Sequence, residues 1–503
     1  MATDAKDKPN YKLPAYEEQL PAMNVMRDVL GGSEAVRAKG ETYLPKGPLE
    51  LPESFAARLA AAALFPATKR TWTGFLGLLF KDEPTLGEDV PQSIAGTEGD
   101  GETVEGLKEN IDLQGNSLTE FVKETAGNAL RDGHAAIVVE MPPAVVREDG
   151  QPATLEDERR AGLRPYWVMY DKKQIINPQY EVRDGKTVLS MVVLEEHTME
   201  PDGAFGSKAI ERYRVYRDVN GTITSQVFTE TEGEGSEKEF IAGPEVRIAN
   251  QDEIPISPMY ARKTGRFKSE PPLLGMAEEN LRHYRLRSTL EKLLMHSFPV
   301  TISKGDLREL GVPEGSNQNL RFSPEAVLTL PDTPEATAFL LEPKGTGIAP
   351  LQAEIKECES RMARLGLSLL EPAQQSGKTN TEAATDEMEE QSELDFFRES
   401  IKDCVERALM FTAKFIGEPT GGSYELKSAM AKRKFTPAKL AAFSQMVTDR
   451  QFPLRDFLLM LVESGEAQET FDVDKALVVL ENAATKAAER QRGIFDAGFT
   501  PGA

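Results

Sequence analysis

A chain of 503 residues with 82 acidic and 59 basic side chains carries a formal charge of −23, and 40% of it is hydrophobic. That length exceeds one ordinary core and implies two to four domains. The charge argues against a protein that grips nucleic acid through its phosphates, which takes clustered Lys and Arg. It is compatible with a surface past which DNA slides without sticking, and equally with plain solubility. No apolar run approaches the roughly 20 residues that span a bilayer. The start, MATDAKDKPNYKLPAYEEQ, lacks the hydrophobic core of a signal peptide, so a chain made and kept in the cytoplasm is expected unless an assembly carries it elsewhere.

Residues 1–132 read as mostly helical, with helical spacing over 15–30, 54–64 and 117–130 and with Ser54 and Ser117 as N-caps. The acidic, glycine-containing stretch 87–106 reads as an exposed loop. His134–Glu140 (HAAIVVE) reads as a buried strand stopped by Pro142 and Pro143. Residues 165–260 become β-rich. Asn220-Gly221 lies between alternating runs and is the strongest local hairpin signal; Asp184-Gly185 marks a second hairpin. The run 231–239 reads as a solvated loop, and polar alternation suggests an antiparallel sheet with one wet face. A helix returns from Leu273 with no Pro or Gly after Gly275, stopping at Phe298-Pro299. Residues 299–348 then form a compact insert of short strands and turns whose thin core would depend on its neighbours.

Two striped helices follow. The first carries Leu351, Ile355, Cys358, Met362, Leu365 and Leu369; the second carries Leu394, Phe397, Ile401, Cys404, Ala408, Phe411 and Phe415. Such spacing buries one face of each helix. Between them lies a polar interruption, EPAQQSGKTNTEA from Glu371, which must sit on a surface or line a hole. Short helices over 437–448, 453–463 and 473–489 finish the chain, and no internal repeat is present.

The chemistry-bearing motifs are sparse. Ser376-Gly377-Lys378-Thr379 ends like a phosphate-binding loop, but the position five residues before Gly377, where glycine is needed, holds Pro372, and a helix stands where a strand should precede it. The four histidines, His134, His197, His283 and His296, are scattered without metal-ligand spacing and read as packing or surface residues. Cys358 and Cys404 fall in apolar seams and read as buried, reduced thiols. No nucleophile elbow and no dinucleotide fingerprint occur, so no catalytic residue, metal ligand or cofactor is assigned. The acidic cluster with Glu382, Asp386, Glu387 and Glu390 reads either as a solvated helix start or as a surface facing a partner or a lumen. Arg282, Arg285 and Arg287, mixed with Glu278, Glu279 and Glu291, suit a solvated face with i, i+4 pairs and suit a contact between copies equally.

The order of these parts resembles the portal proteins of tailed bacteriophages, the head-to-tail connectors. So do RDVLGGSEAVRAKGETYLP near the start, IDLQGNSLTEFV before ALRDGHAAIVVEMPP, and MARLGLSLLEP before TNTEAAT. The likeness runs over roughly residues 16–500, and the order of parts is more specific than any one motif. It implies an α+β fold of portal architecture assembled as a ring. The parts would be a wing over 1–270 (β-rich from 165 to 260), a first stem helix over 271–298 and a small α/β clip over 299–348. A second stem helix over 349–370, a tunnel loop over 371–381, a long wing-spanning helix over 382–418 and a helical crown over 419–503 would complete it.

The resemblance further implies a non-enzymatic ring, typically of twelve subunits, at one vertex of the virion capsid. Double-stranded DNA would enter through it, driven by a separate terminase, and later leave the same way. The clip would dock terminase and then head-completion or tail adaptor proteins. Major capsid and scaffold proteins would be further partners, and no membrane is implied. Carried onto this sequence, Gln374, Gln375, Ser376, Gly377, Lys378, Thr379 and Asn380 would form the tunnel loop, with Lys378 reaching a phosphate. Arg282, Arg285, Arg287, Lys356, Arg361 and Arg364 would face the channel or a neighbouring stem. Two other readings compete: a cytosolic acidic enzyme, which needs a polar constellation not found here, and a minor capsid or scaffold protein, against which the β-rich middle counts.

Overall fold

The computed structural model describes residues 5–96, 106–142, 163–232, 238–296, 300–304, 337–341, 345–366, 380–426, 437–449, 453–463 and 472–479. The chain divides into two compact units, one of residues 1–76 with 86–424 and one of residues 77–85 with 425–503.

The helices α1 (Leu20–Leu30), α2 (Gly32–Ala38), α3 (Pro52–Ala61), α4 (Ala67–Leu79, of which 67–76 belong to the first unit) and α5 (Leu118–Asp132) come first. The expected helix over 15–30 is broken: a single turn spans Pro14–Glu17, and α1 starts afresh with Pro21 in its first turn. Proline is suited to that position because it has no N–H to leave unsatisfied. For the same reason Ser54 does not cap α3; Leu51 is the N-cap and Pro52 opens the helix. Ser117 does cap α5. Its Oγ accepts from Glu120 N at 3.3 Å while Glu120 Oε2 accepts from Ser117 N at 3.2 Å, a reciprocal capping box. Within the stretch expected as an exposed loop over 87–106, Val90 and Ile94 are buried and 92–95 form a helical turn. Residues 97–105 lie outside the described residues.

Strands β1 (His134–Glu140), β2 (Tyr166–Asp171) and β8 (Ile256–Tyr260) form a three-stranded antiparallel sheet in the order β8-β1-β2. Between β2 and β8 come β3 (Ile175–Arg183), β4 (Lys186–Asp202), β5 (Gly206–Val219), β6 (Thr222–Glu232) and β7 (Lys238–Ala242). They run as an antiparallel meander in sequence order. Both signalled hairpins form: Asp184 and Gly185 have φ of 50° and 74°, and Asn220 and Gly221 have φ of 52° and 82°. Two successive left-handed residues match the strand twist, and Asn, Asp and Gly tolerate that conformation best.

The alternation of β1 explains its unbroken apolar run. Ala136 and Val138, with Tyr170 and Ile256, face the meander and pack with Ile175, Val192, Leu194, Tyr216 and Ile223. On the opposite face Ser257, paired with Ile137, meets a long helix, and Trp167, paired with Val139, meets that helix and α5. A strand covered on both faces has no polar side to show.

The remaining elements of this unit are α6 (Leu274–His296), β9 (Val300–Lys304), β10 (Thr337–Leu341), α7 (Ile348–Leu365) and α8 (Asn380–Ile416). β9 and β10 pair antiparallel from Val300↔Leu341 to Lys304↔Thr337, closing the base of the insert expected over 299–348; its interior, 305–336, lies outside the described residues. The second unit contains α9 (Pro437–Thr448) and α10 (Leu454–Glu463).

Candidate functional site

The helix–hairpin–helix–helix series from α6 to α8 is the most distinctive arrangement in the chain. α6 has 23 residues and α8 has 37, so they run about 35 and 55 Å at ~1.5 Å per residue. α6 and α7 lie antiparallel, as their contacts show: Glu279 meets Arg361 while Arg282 meets Glu354. Ile355, Cys358 and Met362 of α7 are buried in this pairing. Leu365, expected in the same stripe, is 54% exposed. Leu365 is the last residue of the helix and Gly366 its C-cap, and Leu369, expected next in the stripe, lies outside the described residues.

The charges between α6 and α7 are matched within one chain. Arg361 Nε donates to Glu279 Oε1 at 2.7 Å and its Nη2 to Glu354 Oε1 at 3.0 Å. Arg282 Nη2 donates to Glu354 Oε1 at 2.6 Å, and Arg364 Nη2 to Glu357 Oε1 at 3.1 Å. Partial burial works to raise the carboxyl of Glu279, but Arg361 prevails and holds it below the ordinary range. Arg285, Arg287 and Lys356 are exposed and make no ion pair among the described residues. Of the six candidate stem cations, Arg282, Arg361 and Arg364 are paired and Arg285, Arg287 and Lys356 have no ion pair among the described residues.

Gly366 fixes where the chain leaves α7. A Cβ there would come 2.9 Å from both Met276 Sδ of α6 and Thr71 Oγ1 of α4, so a larger residue would require those side chains to shift. Residues 367–379 lie outside the described residues, and with them Gln374, Gln375, Ser376, Gly377, Lys378 and Thr379. Asn380 opens the backbone of α8, and Glu382, Asp386, Glu387 and Glu390 follow on it; their side chains also lie outside the described residues.

From Leu394 onward α8 is seated in the core. Leu394, Phe397, Ile401, Cys404, Ala408 and Phe411 are buried as the stripe requires, and Val405, Leu409, Thr412 and Ala413 join them. Polar ties fix the helix to the three-stranded sheet. Ser257 Oγ donates to Cys404 O at 2.9 Å, Cys404 Sγ to Ser257 O at 3.2 Å, and Ser400 Oγ accepts from Tyr260 N at 2.8 Å. Trp167 Nε1 donates to Thr412 Oγ1 at 2.8 Å, and Gln251 Nε2 to Phe411 O at 3.0 Å. Burial pushes the thiols of Cys358 and Cys404 up to about 12, which leaves both unreactive.

Three buried polar groupings carry no local sequence signal. Asp132 is fully buried and receives Arg27 (2.9 and 2.6 Å) and Arg131 (3.0 and 2.6 Å), both of which also reach Asp171. Between the two sheets Glu140 accepts from Tyr166 and Tyr216 at 2.8 and 2.7 Å, while Arg214 Nε donates to Glu196 at 2.6 Å. Lys172 is 2% exposed; burial lowers its ammonium to about 8, and its Nζ donates to Ser269 O at 2.8 Å. His134 sits with Nδ1 2.7 Å from Ser269 Oγ, and burial, with Lys172 adding, lowers it to about 3.

Of the four histidines, His134 and His283 are buried, His197 is exposed, and the side chain of His296 lies outside the described residues. Among the described residues no group of three or more His, Cys, Asp or Glu could hold a metal ion, and no helix is long and apolar enough to cross a membrane.

Residues 272–416 match the model of a domain of unknown function, DUF4055; the match begins two residues before α6 and ends with α8. No curated protein matches the chain. Solved structures similar to it come from gene transfer agent (GTA) particles. One is the virion of the native particle, at 13% identity and a TM-score of 0.31 over 84% of this chain and 94% of that one. The neck of the empty particle, computed with C6 symmetry, aligns at 12% and 0.32 over 84% and 94%. The neck of the native particle, computed with C12 symmetry, aligns at 11% and 0.32 over 84% and 98%.

Proposed function

We propose that the chain is the subunit of a phage portal, a structural ring at one capsid vertex through which double-stranded DNA passes while a separate terminase drives it. The observation that carries this reading is the α6-to-α8 series: an antiparallel helix pair, self-neutralised by its own Arg–Glu contacts, leads out to a hairpin-based insert and back to a long core-seated helix. In this reading residues 1–270 are the wing, α6 and α7 the stem, 299–348 the clip, 371–381 the tunnel loop, α8 the wing-spanning helix and 419–503 the crown. Arg285, Arg287 and Lys356, which make no ion pair among the described residues, are in this reading the stem cations that meet a neighbouring copy or the channel. Lys378 gives one releasable phosphate contact per subunit, and the acidic bulk keeps DNA from adhering.

End-on electron microscopy of purified particles tests the ring directly. A twelve-fold assembly of 55.5 kDa chains has a mass of about 666 kDa. A chain that is monomeric in particles as well as in physiological salt overturns the reading. Deleting 299–348 is expected to abolish terminase or adaptor docking and to leave the rest folded; loss of soluble protein contradicts that division of labour.

A further inference from the structure

The β4–β5 hairpin outruns its sheet. β3 pairs with β4 only as far as Ile175↔Leu194, and β6 pairs with β5 only as far as Arg212↔Thr229. From His197↔Glu211 to Asp202↔Gly206 the two strands form a ribbon of their own, about 20 Å long at ~3.4 Å per residue. A lone two-stranded ribbon is marginal in water. This one nevertheless carries Phe205 at its tip, fully exposed at 105%, and Met199, 64% exposed. Glu200 is paired with Arg212 and Glu211 with Lys238, but Asp202, beside the tip, has no ion pair among the described residues.

A cavity of about 320 Å³ in the same unit has the complementary character. Tyr16, Tyr180 and Phe267 supply aromatic walls; Lys172, Arg266 and Lys268 supply cations, and no carboxylate is among the lining residues, although Glu18 Oε2 lies 4.0 Å from Lys268 Nζ. His134 also lines it, and its Nε2 is buried without a partner. The arm cannot fill its own cavity. Asp202 lies eight residues beyond the pair formed by Ile175, a cavity residue, about 27 Å away along an unbroken ladder.

We propose that the arm tip of one copy docks in the cavity of a neighbouring copy, with the Phe205 ring against Tyr16, Tyr180 and Phe267 and the Asp202 carboxylate at Arg266 and Lys268. The proposal rests on the ring reading above, since it needs a second copy. An aromatic anchor in a pocket with a charge pair at its rim is the pattern by which interfaces concentrate their affinity.

The test uses engineered thiols, because the only two native cysteines are buried. Phe205→Cys and Ala15→Cys, the latter in the cavity wall, are made in separate chains, co-assembled and oxidised. A disulfide between the two chains is expected, absent from either variant alone, since a bridge needs Cα atoms within ~7 Å. Phe205→Ala is expected to weaken self-association at least tenfold. Asp202→Lys should do the same, and Arg266→Glu in the same chain as Asp202→Lys should restore it. Assemblies of full mass that form no such disulfide and ignore Phe205→Ala overturn the arm contact and leave the ring standing. A bridge formed only within doubly substituted monomers overturns it too. Chains that never assemble, in solution or in particles, overturn the ring itself.

Discussion

The seating of α8 on the three-stranded sheet can be tested at one hydrogen bond. Trp167 is 1% exposed and Thr412 fully buried, and the indole N–H donates to the Thr412 hydroxyl, which itself donates to Ala408 O at 2.9 Å. Thr412→Val keeps shape and volume but removes the indole's one acceptor among the described residues, leaving a buried donor unpaired. That costs about 1–3 kcal/mol. Trp167→Phe removes the donor and adds a loss of contact area against Phe121, whose ring lies edge-on at 5.8 Å. In the Trp167→Phe background Thr412→Val should be within about 0.5 kcal/mol of neutral, because no orphaned donor remains. Urea unfolding followed by circular dichroism supplies all four stabilities, with the urea slope checked for constancy across the set. An equal cost of Thr412→Val in both backgrounds would refute the hydrogen bond as the tie.

Asp132→Asn should cost about 3–5 kcal/mol, since it strips a buried carboxylate from Arg27 and Arg131 together; a shift in urea midpoint worth under about 1 kcal/mol would contradict the buried network. His134 titrates at about 3 when folded against an ordinary 6.5, so between those values the unfolded chain binds the extra proton and stability falls as pH drops. The slope from this residue is at most about 1.4 kcal/mol per pH unit, and His134→Gln should flatten the acid limb measured by unfolding at stepped pH. Lys172, at about 8 against an ordinary 10.5, acts in the alkaline window: the unfolded chain again holds the extra proton, so stability rises as pH climbs from about 8 to 10.5, and Lys172→Met should remove that rise. Lys378→Ala should leave assembly intact and change the DNA content of particles or its retention; unchanged packaging removes Lys378 from the mechanism.

What was legible in the sequence was local. Asn220-Gly221 and Asp184-Gly185 impose left-handed backbone on their own, so both hairpins could be read without the rest of the fold. Ser117 and Glu120 cap α5 across three residues and were equally visible. Local rules also misled: Ser54 has the right chemistry for a cap, but Pro52 two residues earlier already opens the helix. The buried polar groupings were out of reach because their partners are far apart in sequence. Asp132 finds Arg27 across 105 residues, and Trp167 finds Thr412 across 245. Of the candidate site, the stem cations could be named, but which were already paired depended on the antiparallel register of α6 and α7.

The width of the α8 seam says more about function than its period does. A stripe stepping only by threes and fours suits a narrow contact with one partner helix. The buried arc here also takes in Val405, Leu409, Thr412 and Ala413, because the helix lies on β1 and β8 and also touches α5. A broad arc of this kind belongs to a helix embedded in a domain core. Flanking ion pairs, Arg407 with Glu253 at 2.8 Å and Lys414 with Asp252, and the backbone ties at Ser257 and Tyr260 then resist sliding along the helix axis. From Leu394 to its end α8 therefore behaves as part of the sheet it crosses. A force on the chain ahead of Leu394 is delivered to the β1–β8 core instead of being absorbed by helix slippage. Ser400→Ala with Ser257→Ala, which cuts two of those ties and leaves the apolar seam whole, should loosen hydrogen-exchange protection along 400–412 before it lowers global stability.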